Sequence, residues 1–315
     1  MNQSSSEEPN ETLPLRLATA PVNWNNNDIP GWRPVTPFPE ILDRMREAGY
    51  AATEYDDGFG NDPERLNREA SARGITWTGC YQWVDFLDAP ELEATITGLA
   101  PRMQVLRDIG CDHLIVADAL RPHRVALAGR VPPDGSQSLD DDLVALLASG
   151  VHQLAKAAER FGLKVHYHNH VGSWMEAPHE VDALLRHLDL ERVDFCFDTG
   201  HYAYGGGDAA AFIRQHHDAI GYMHLKDVDT GTVVSARERQ LTFIEALKEY
   251  VFSPIGNGSA NIPGIIDTLV AARFDGWVVV EQDTCEGDST ETAMQNLEFI
   301  RDHLSASSSS GRTSS

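Results

Sequence analysis

KVHYHNHVGSWMEAPHEVDALLRHLDLERVDFCFDTGH, residues 164–201, holds two short apolar runs with a helical stretch between them. The runs Lys164–His168 and Val193–Asp198 have strand length and are rich in β-branched or aromatic residues. Between them, APHEVDALLRHL carries its apolar residues at helical spacing. A strand, a helix and a second strand in that order make a βα unit, whose strands pair in parallel. Outward from this stretch the pattern repeats. Leu15–Ala20, Ala51–Tyr55, Ile75–Cys80 and His113–Ala117 precede it, and Ile220–Lys226 and Trp277–Glu281 follow. The intervening stretches carry helix punctuation: Asp62 as N-cap with Pro63 behind it and Gly74 as stop, and Asn261 opening NIPGIIDTLVAARF.

Eight alternating runs predict an α/β chain folded as a single (β/α)8 barrel, a TIM barrel, over residues 15–304. No GxGxxG follows the first run, so an open dinucleotide-binding sheet has no local support. Residues 1–14 and 305–315 are polar or Ser-rich without apolar periodicity and are expected to be disordered tails. Two longer linkers stand out, Arg121–Ser138 and Asp229–Leu241; the first reads as an active-site or interface loop.

The 315 residues carry 25 Lys+Arg against 48 Asp+Glu, a net charge of −23. Such a field repels a polyanion, so nucleic acid is disfavoured as a partner. No run approaches the roughly 18 apolar residues of a membrane helix, and MNQSSSEEPNETLP lacks the features of a secretory signal. Cys80, Cys111, Cys196 and Cys285 are scattered with no CxxC, which fits reduced core thiols of a cytoplasmic protein. A homo-oligomer is left open.

A barrel places its chemistry at the C-terminal ends of its strands, and strand residues two apart share a face. His166, His168 and His170 share one face of the fifth run. Asp194, Cys196 and Asp198 share one of the sixth, with His201 just beyond. Tyr222, His224 and Lys226 share one of the seventh, and Val279 and Glu281 one of the eighth. A lone strand-end His or Asp is ordinarily a hydrogen-bonded or capping residue. Four consecutive strands ending in His168, Asp198, His224 and Glu281 instead predict one divalent metal site, because buried charges must be paired or bind a cation. Two imidazoles with two carboxylates suit Mn²⁺ or Co²⁺, with Zn²⁺, Fe²⁺ and Mg²⁺ also compatible. Glu54 ends the second run and faces the same mouth, or is a solvated loop acid. Trp24, before Asn25–Asp28, lines a sugar pocket or packs beside a polar turn. Glu176 reaches the site from its loop or simply precedes a helix. Lys226 on a buried face needs a partner, for which adjacent Asp227 is a candidate.

DTGH at 198–201, HLKD at 224–227, PIGNGSANIPGIIDTL at 254–269 and VVVEQD at 278–283 occur in order. With them the chain resembles the sugar-phosphate isomerase/epimerase (xylose isomerase-like) superfamily over about residues 15–304. ATAPVNWNNNDIPGW and YHNHVGSWMEAPHEVDALL are similar to segments of its inosose (2-keto-myo-inositol) dehydratase family. The resemblance implies metal ligands Glu, Asp, His and Glu on strands five to eight. Asp198, His224 and Glu281 match the last three. His168 stands where the first Glu is expected, so either His168 or Glu176 is the first ligand.

The implied reaction removes water from a keto-cyclitol or keto-sugar through an enolate, with His201, Glu54 and Lys226 as acid–base candidates. His170, Trp174, Trp24 and Glu176 are the substrate-binding candidates. Two alternatives compete. One is a metal-dependent isomerase or epimerase on a ketose or keto-sugar; the other is a sugar-binding barrel without turnover.

Overall fold

A computed structural model describes residues 13–311, with side chains described over 13–306. Its strands are β1 (Arg16–Thr19), β2 (Ala52–Tyr55), β3 (Thr76–Val84), β4 (His113–Asp118), β5 (Lys164–His168), β6 (Val193–Asp198), β7 (Ile220–Leu225), β8 (Asp227–Val228), β9 (Phe252–Ser253) and β10 (Trp277–Val280). Eight of them close a parallel barrel in the order β1-β10-β7-β6-β5-β4-β3-β2, and β8 and β9 form a separate antiparallel ribbon. The eight runs read from the sequence are the eight barrel strands. No described helix is long and apolar enough to cross a membrane.

Local chemistry accounts for the punctuation between strands. Asp62 accepts hydrogen bonds from the Glu64 and Arg65 amides, with Pro63 first in its helix. Asp140 caps Asp141–Ala158 through Leu143 N–H. Asn261 sits at φ 59° and caps Ile262–Ala271 through Gly264 N–H. Each cap satisfies amides that have no partner inside the helix.

Several boundaries differ from the sequence expectation. β3 continues to Val84 rather than ending at Cys80, because Gln82, Trp83 and Val84 stay in register with Val116, Ala117 and Asp118. The linker Asp229–Leu241 is largely the helix Thr230–Glu238, capped by Asp229. The linker Arg121–Ser138 contains the helix Pro122–Leu127. The final helix, Ser289–Gly311, runs through residues 305–311, so the boundary placed at 305 falls inside it. Residues 1–12 and 312–315 of the expected tails lie outside the described residues.

The main core lies between barrel and helices. Val165, Tyr167, Phe195, Phe197, Met223 and Leu225 are buried in it. A second cluster, with Val171, Tyr204, Phe243 and Phe252, covers one side of the barrel mouth. Within the lumen, Ala18, Ala52, Cys196, Tyr222 and Val279 pack together. All four cysteines are buried free thiols.

Candidate active site

Outward-facing Val165, Tyr167, Phe195, Phe197, Met223 and Leu225 leave the alternate residues of β5, β6 and β7 in the lumen. Pairing register then sets those residues side by side: His168 opposite Cys196, Asp198 opposite His224, and His224 opposite Val279. Glu281 keeps the parity of Val279 just past β10, its amide donating to Leu225 O at 3.1 Å.

At the C-terminal mouth lies a cavity of about 470 Å³, lined in part by Glu54, His168, His170, His224, Lys226 and Glu281. That volume is in the range of small-molecule sites. His168 Nε2 stands 3.3 Å from Asp198 Oδ2, and His224 Nδ1 stands 3.3 Å from Glu281 Oε2 and 3.9 Å from Asp198 Oδ2. His168 Nε2, Asp198 Oδ2 and His224 Nδ1 are buried without a completed hydrogen bond. Buried polar atoms are rarely left so. Two imidazole nitrogens without completed hydrogen bonds, converging on carboxylate oxygens, fit a divalent first-row cation. His224 also groups with Glu54 and Glu281, and with His168 and Cys196, at metal-ligand spacing.

Lys226 is the buried cation of the cluster. Its Nζ lies 2.8 Å from Glu281, 2.9 Å from Asp283 and 3.2 Å from Asp198. Burial opposes the charged form of Lys226, but Asp198, Asp283 and Glu281 hold its ammonium well above the usual range. Burial pushes His168 down to about 4, with Asp198 pulling the other way. Burial, reinforced by neighbouring cationic groups, holds His170 and His201 well below the ordinary histidine value, so both are neutral imidazoles. His170 Nδ1 lies 2.7 Å from Val171 O, which can only accept. The His170 proton is therefore on Nδ1 and its Nε2 carries the lone pair.

The structure moves several expected site residues away. Trp24 is buried in the main core, its Nε1–H donating to Thr290 Oγ1 at 3.1 Å, and it does not line the cavity. Trp174 packs on His123 and Arg124 outside the cavity. Glu176 accepts the amides of Gly129 (2.7 Å) and Gly172 (2.8 Å) and turns from the mouth, leaving His168 as the residue that joins the cluster. His201 is not in the cavity wall either. It stacks on His170 at 3.7 Å and places Nε2 3.4 Å from Lys226 Nζ. Asp227 is not the partner of Lys226. Its carboxylate instead accepts the amides of Gly256, Gly258 and Ala260, knitting the loop between β9 and the next helix.

Other wall residues escaped the sequence reading. Tyr81, Gln82 and Trp83 line the cavity because β3 runs on, a continuation legible in the aromatic alternation of YQWV. Asp283 repeats the parity of Glu281 two residues later. Arg102 reaches the rim from a helix, paired with Asp57, and no local signal marks it.

A family model described as a xylose isomerase-like TIM barrel matches residues 42–303. An inosose dehydratase of Geobacillus kaustophilus (strain HTA426) is 32% identical over 276 residues, covering 85% of this chain and 87% of that protein. The rhizopine catabolism protein MocC of Rhizobium meliloti is 30% identical over 272 residues, covering 86% of this chain and 82% of that protein. Among solved structures, IOLI protein with a bound zinc atom superposes with a TM-score of 0.69 at 14% identity, covering 93% of this chain and 99% of that one.

Proposed function

This chain belongs to the xylose isomerase-like TIM barrel family, and from that premise we propose that it is a metal-dependent dehydratase acting on a keto-cyclitol or keto-sugar. The observation that carries the reading is the convergence of His168 Nε2 and His224 Nδ1, neither with a completed hydrogen bond, on the carboxylates of Asp198 and Glu281, beside a cavity that also presents Lys226 and His170. An inosose dehydratase relative at 32% identity supports the substrate class.

His168, Asp198, His224 and Glu281 would hold the ion. When bound, a divalent ion polarises the substrate carbonyl and stabilises the negative charge that develops on its oxygen. His170, whose Nε2 is the basic nitrogen, accepts the proton from the carbon beside the ketone. The C–O bond of the neighbouring hydroxyl then breaks, and the Lys226 ammonium supplies the proton with which it leaves as water. His201, whose Nδ1 accepts the Val171 amide, packs against His170 and backs that ring. Asp283, 2.9 Å from Lys226 Nζ, is the carboxylate beside that ammonium which the ion would not use. His168 stands where the resemblance implies a carboxylate ligand, so the ligand set lacks one acid of the carboxylate pair that an epimerase mechanism needs, which favours elimination.

The test is incubation of the metal-supplemented enzyme with 2-keto-myo-inositol. Growth of the ultraviolet absorbance of an α,β-unsaturated diketone is expected. Conversion to an epimer with solvent deuterium uptake and no such absorbance would replace the lyase reading with an epimerase. Glu281→Ala and His224→Ala are expected to lose stoichiometric metal while keeping the thermal unfolding transition.

A further inference from the structure

The buried edge of His224 away from Nδ1 is occupied by a hydrogen-bonded chain that crosses the barrel. His224 Nε2 lies 2.9 Å from Glu54 Oε1, the Tyr222 hydroxyl lies 3.0 Å from the same oxygen, and the Thr78 hydroxyl lies 2.9 Å from the Tyr222 hydroxyl. All four side chains are buried. The direction of the chain follows from what each group can do. A carboxylate oxygen only accepts, so Tyr222 O–H and His224 Nε2–H both donate to Oε1. The Tyr222 oxygen, its proton spent on Glu54, receives the proton of Thr78. Every donor is then used once.

The barrel is what allows this contact. Glu54 is on β2, Thr78 on β3, and Tyr222 and His224 on β7, which is separated from β2 by β1 and β10. The link therefore spans the lumen. Ala18 and Ala52 pack in the same interior cluster as Tyr222, small side chains that leave the phenol room to cross.

We infer that Glu54, held by Tyr222 and Thr78, is a positioning residue that fixes His224 with its proton on Nε2 and its Nδ1 lone pair aimed at Asp198, Glu281 and His168. Glu54 is then neither the acid nor the base of the reaction, and it is not a metal ligand. The inference rests on the metal reading above. Outer hydrogen bonds of this kind orient a ligating imidazole and change metal affinity about 10- to 100-fold.

The experiment uses the full chain and Co²⁺ alone, with affinity from equilibrium dialysis and ligand geometry from the visible absorption of bound Co²⁺. Glu54→Ala is expected to bind Co²⁺ about 10- to 100-fold more weakly. Glu54→Gln keeps an oxygen that accepts Nε2–H, so it is expected to recover most of the affinity with an unchanged Co²⁺ spectrum. Tyr222→Phe, which keeps the ring and releases Glu54, is expected to weaken binding several-fold. In the Zn²⁺-loaded protein, ¹⁵N resonances of labelled histidine are expected to show His224 protonated at Nε2. A Glu54→Gln variant with a shifted spectrum and Ala-like affinity would make Glu54 a ligand and overturn the inference. So would wild-type affinity in both Glu54→Ala and Tyr222→Phe. Failure of wild-type protein to bind Co²⁺ at all would strike the metal reading instead.

Discussion

Both carboxylate oxygens of Glu176 are taken by backbone amides, Gly129 on one side and Gly172 on the other. An acid eight residues past His168 reads in the sequence as a metal or sugar contact; in the fold it staples two loops behind the mouth. Burial pushes its carboxyl up from the ordinary 4.5 to about 7, against the pull of the Gly172 amide and Arg124. A carboxyl with a raised folded-state value is favoured in its neutral form. Its stabilising contribution is complete below about pH 4.5 and is lost as pH rises through about 7. Wild-type protein is therefore expected to lose up to about 3 kcal/mol relative to Glu176→Gln between about pH 5 and 8. Urea unfolding of both proteins across that range checks this; parallel curves would mean that Glu176 is ionised in the fold. Glu281 and His224 illustrate the opposite case, where strand parity alone placed both residues at the mouth.

The segment between β4 and the helix Asp141–Ala158 owes its conformation to Arg124. This side chain has 0% exposure. Its guanidinium donates to Ser173 O at 2.9 Å, to Gln137 O at 3.0 Å and to Glu180 Oε2 at 2.7 Å. Glu180 in turn accepts Ser138 Oγ–H and the Ala177 amide. One cation thus ties the linker after β4 to the loop after β5. Arg124→Ala leaves Glu180 buried without its counter-charge and is expected to cost about 3–5 kcal/mol, read as a lower denaturant midpoint. A much smaller loss would show that the loops carry themselves. In the sequence RPHR advertises a loop, and nothing local pairs Arg124 with an acid 56 residues away. The helix Thr230–Glu238 escaped prediction for a related reason: TGTVVSARE is rich in Thr, Gly and Val, weak helix formers, and its stability comes from Val233 and Ala236 buried against Phe243 and Phe252.

Over the whole molecule the excess of acid is also the character of the mouth. Asp28, Asp56, Asp57 and Asp283 line the cavity against Arg102 and Lys226, and both cations are already paired with carboxylates. Within a chain of net charge −23, such a mouth disfavours anions and leaves hydroxyl-rich neutral rings as the suited ligands. An uncharged cyclitol is therefore expected to bind at least about 10-fold more tightly than its phosphate ester at low salt, and the gap is expected to narrow as ionic strength rises. Calorimetric titration of both ligands checks this, and tighter binding of the ester would mean that Arg102 opens to receive it.

Alternation by two along the strands and caps such as Asp62 and Asn261 are local properties, written in neighbouring residues. They suffice for eight βα units, hence for the barrel, and for the side of each strand that carries His168, Asp198, His224 and Glu281. Tertiary structure decided which other polar residues join them. Glu54 meets His224 across the lumen because the barrel closes with alanines on its near wall. Trp24 is drawn into the core by apolar burial and the hydroxyl of Thr290, and Glu176 is claimed by two amides that only the folded loops bring together. The physical reason is range. Periodicity and capping act within a few residues, whereas the partner that satisfies a buried polar group here lies up to 266 residues away, and only the closed barrel determines which partner that is.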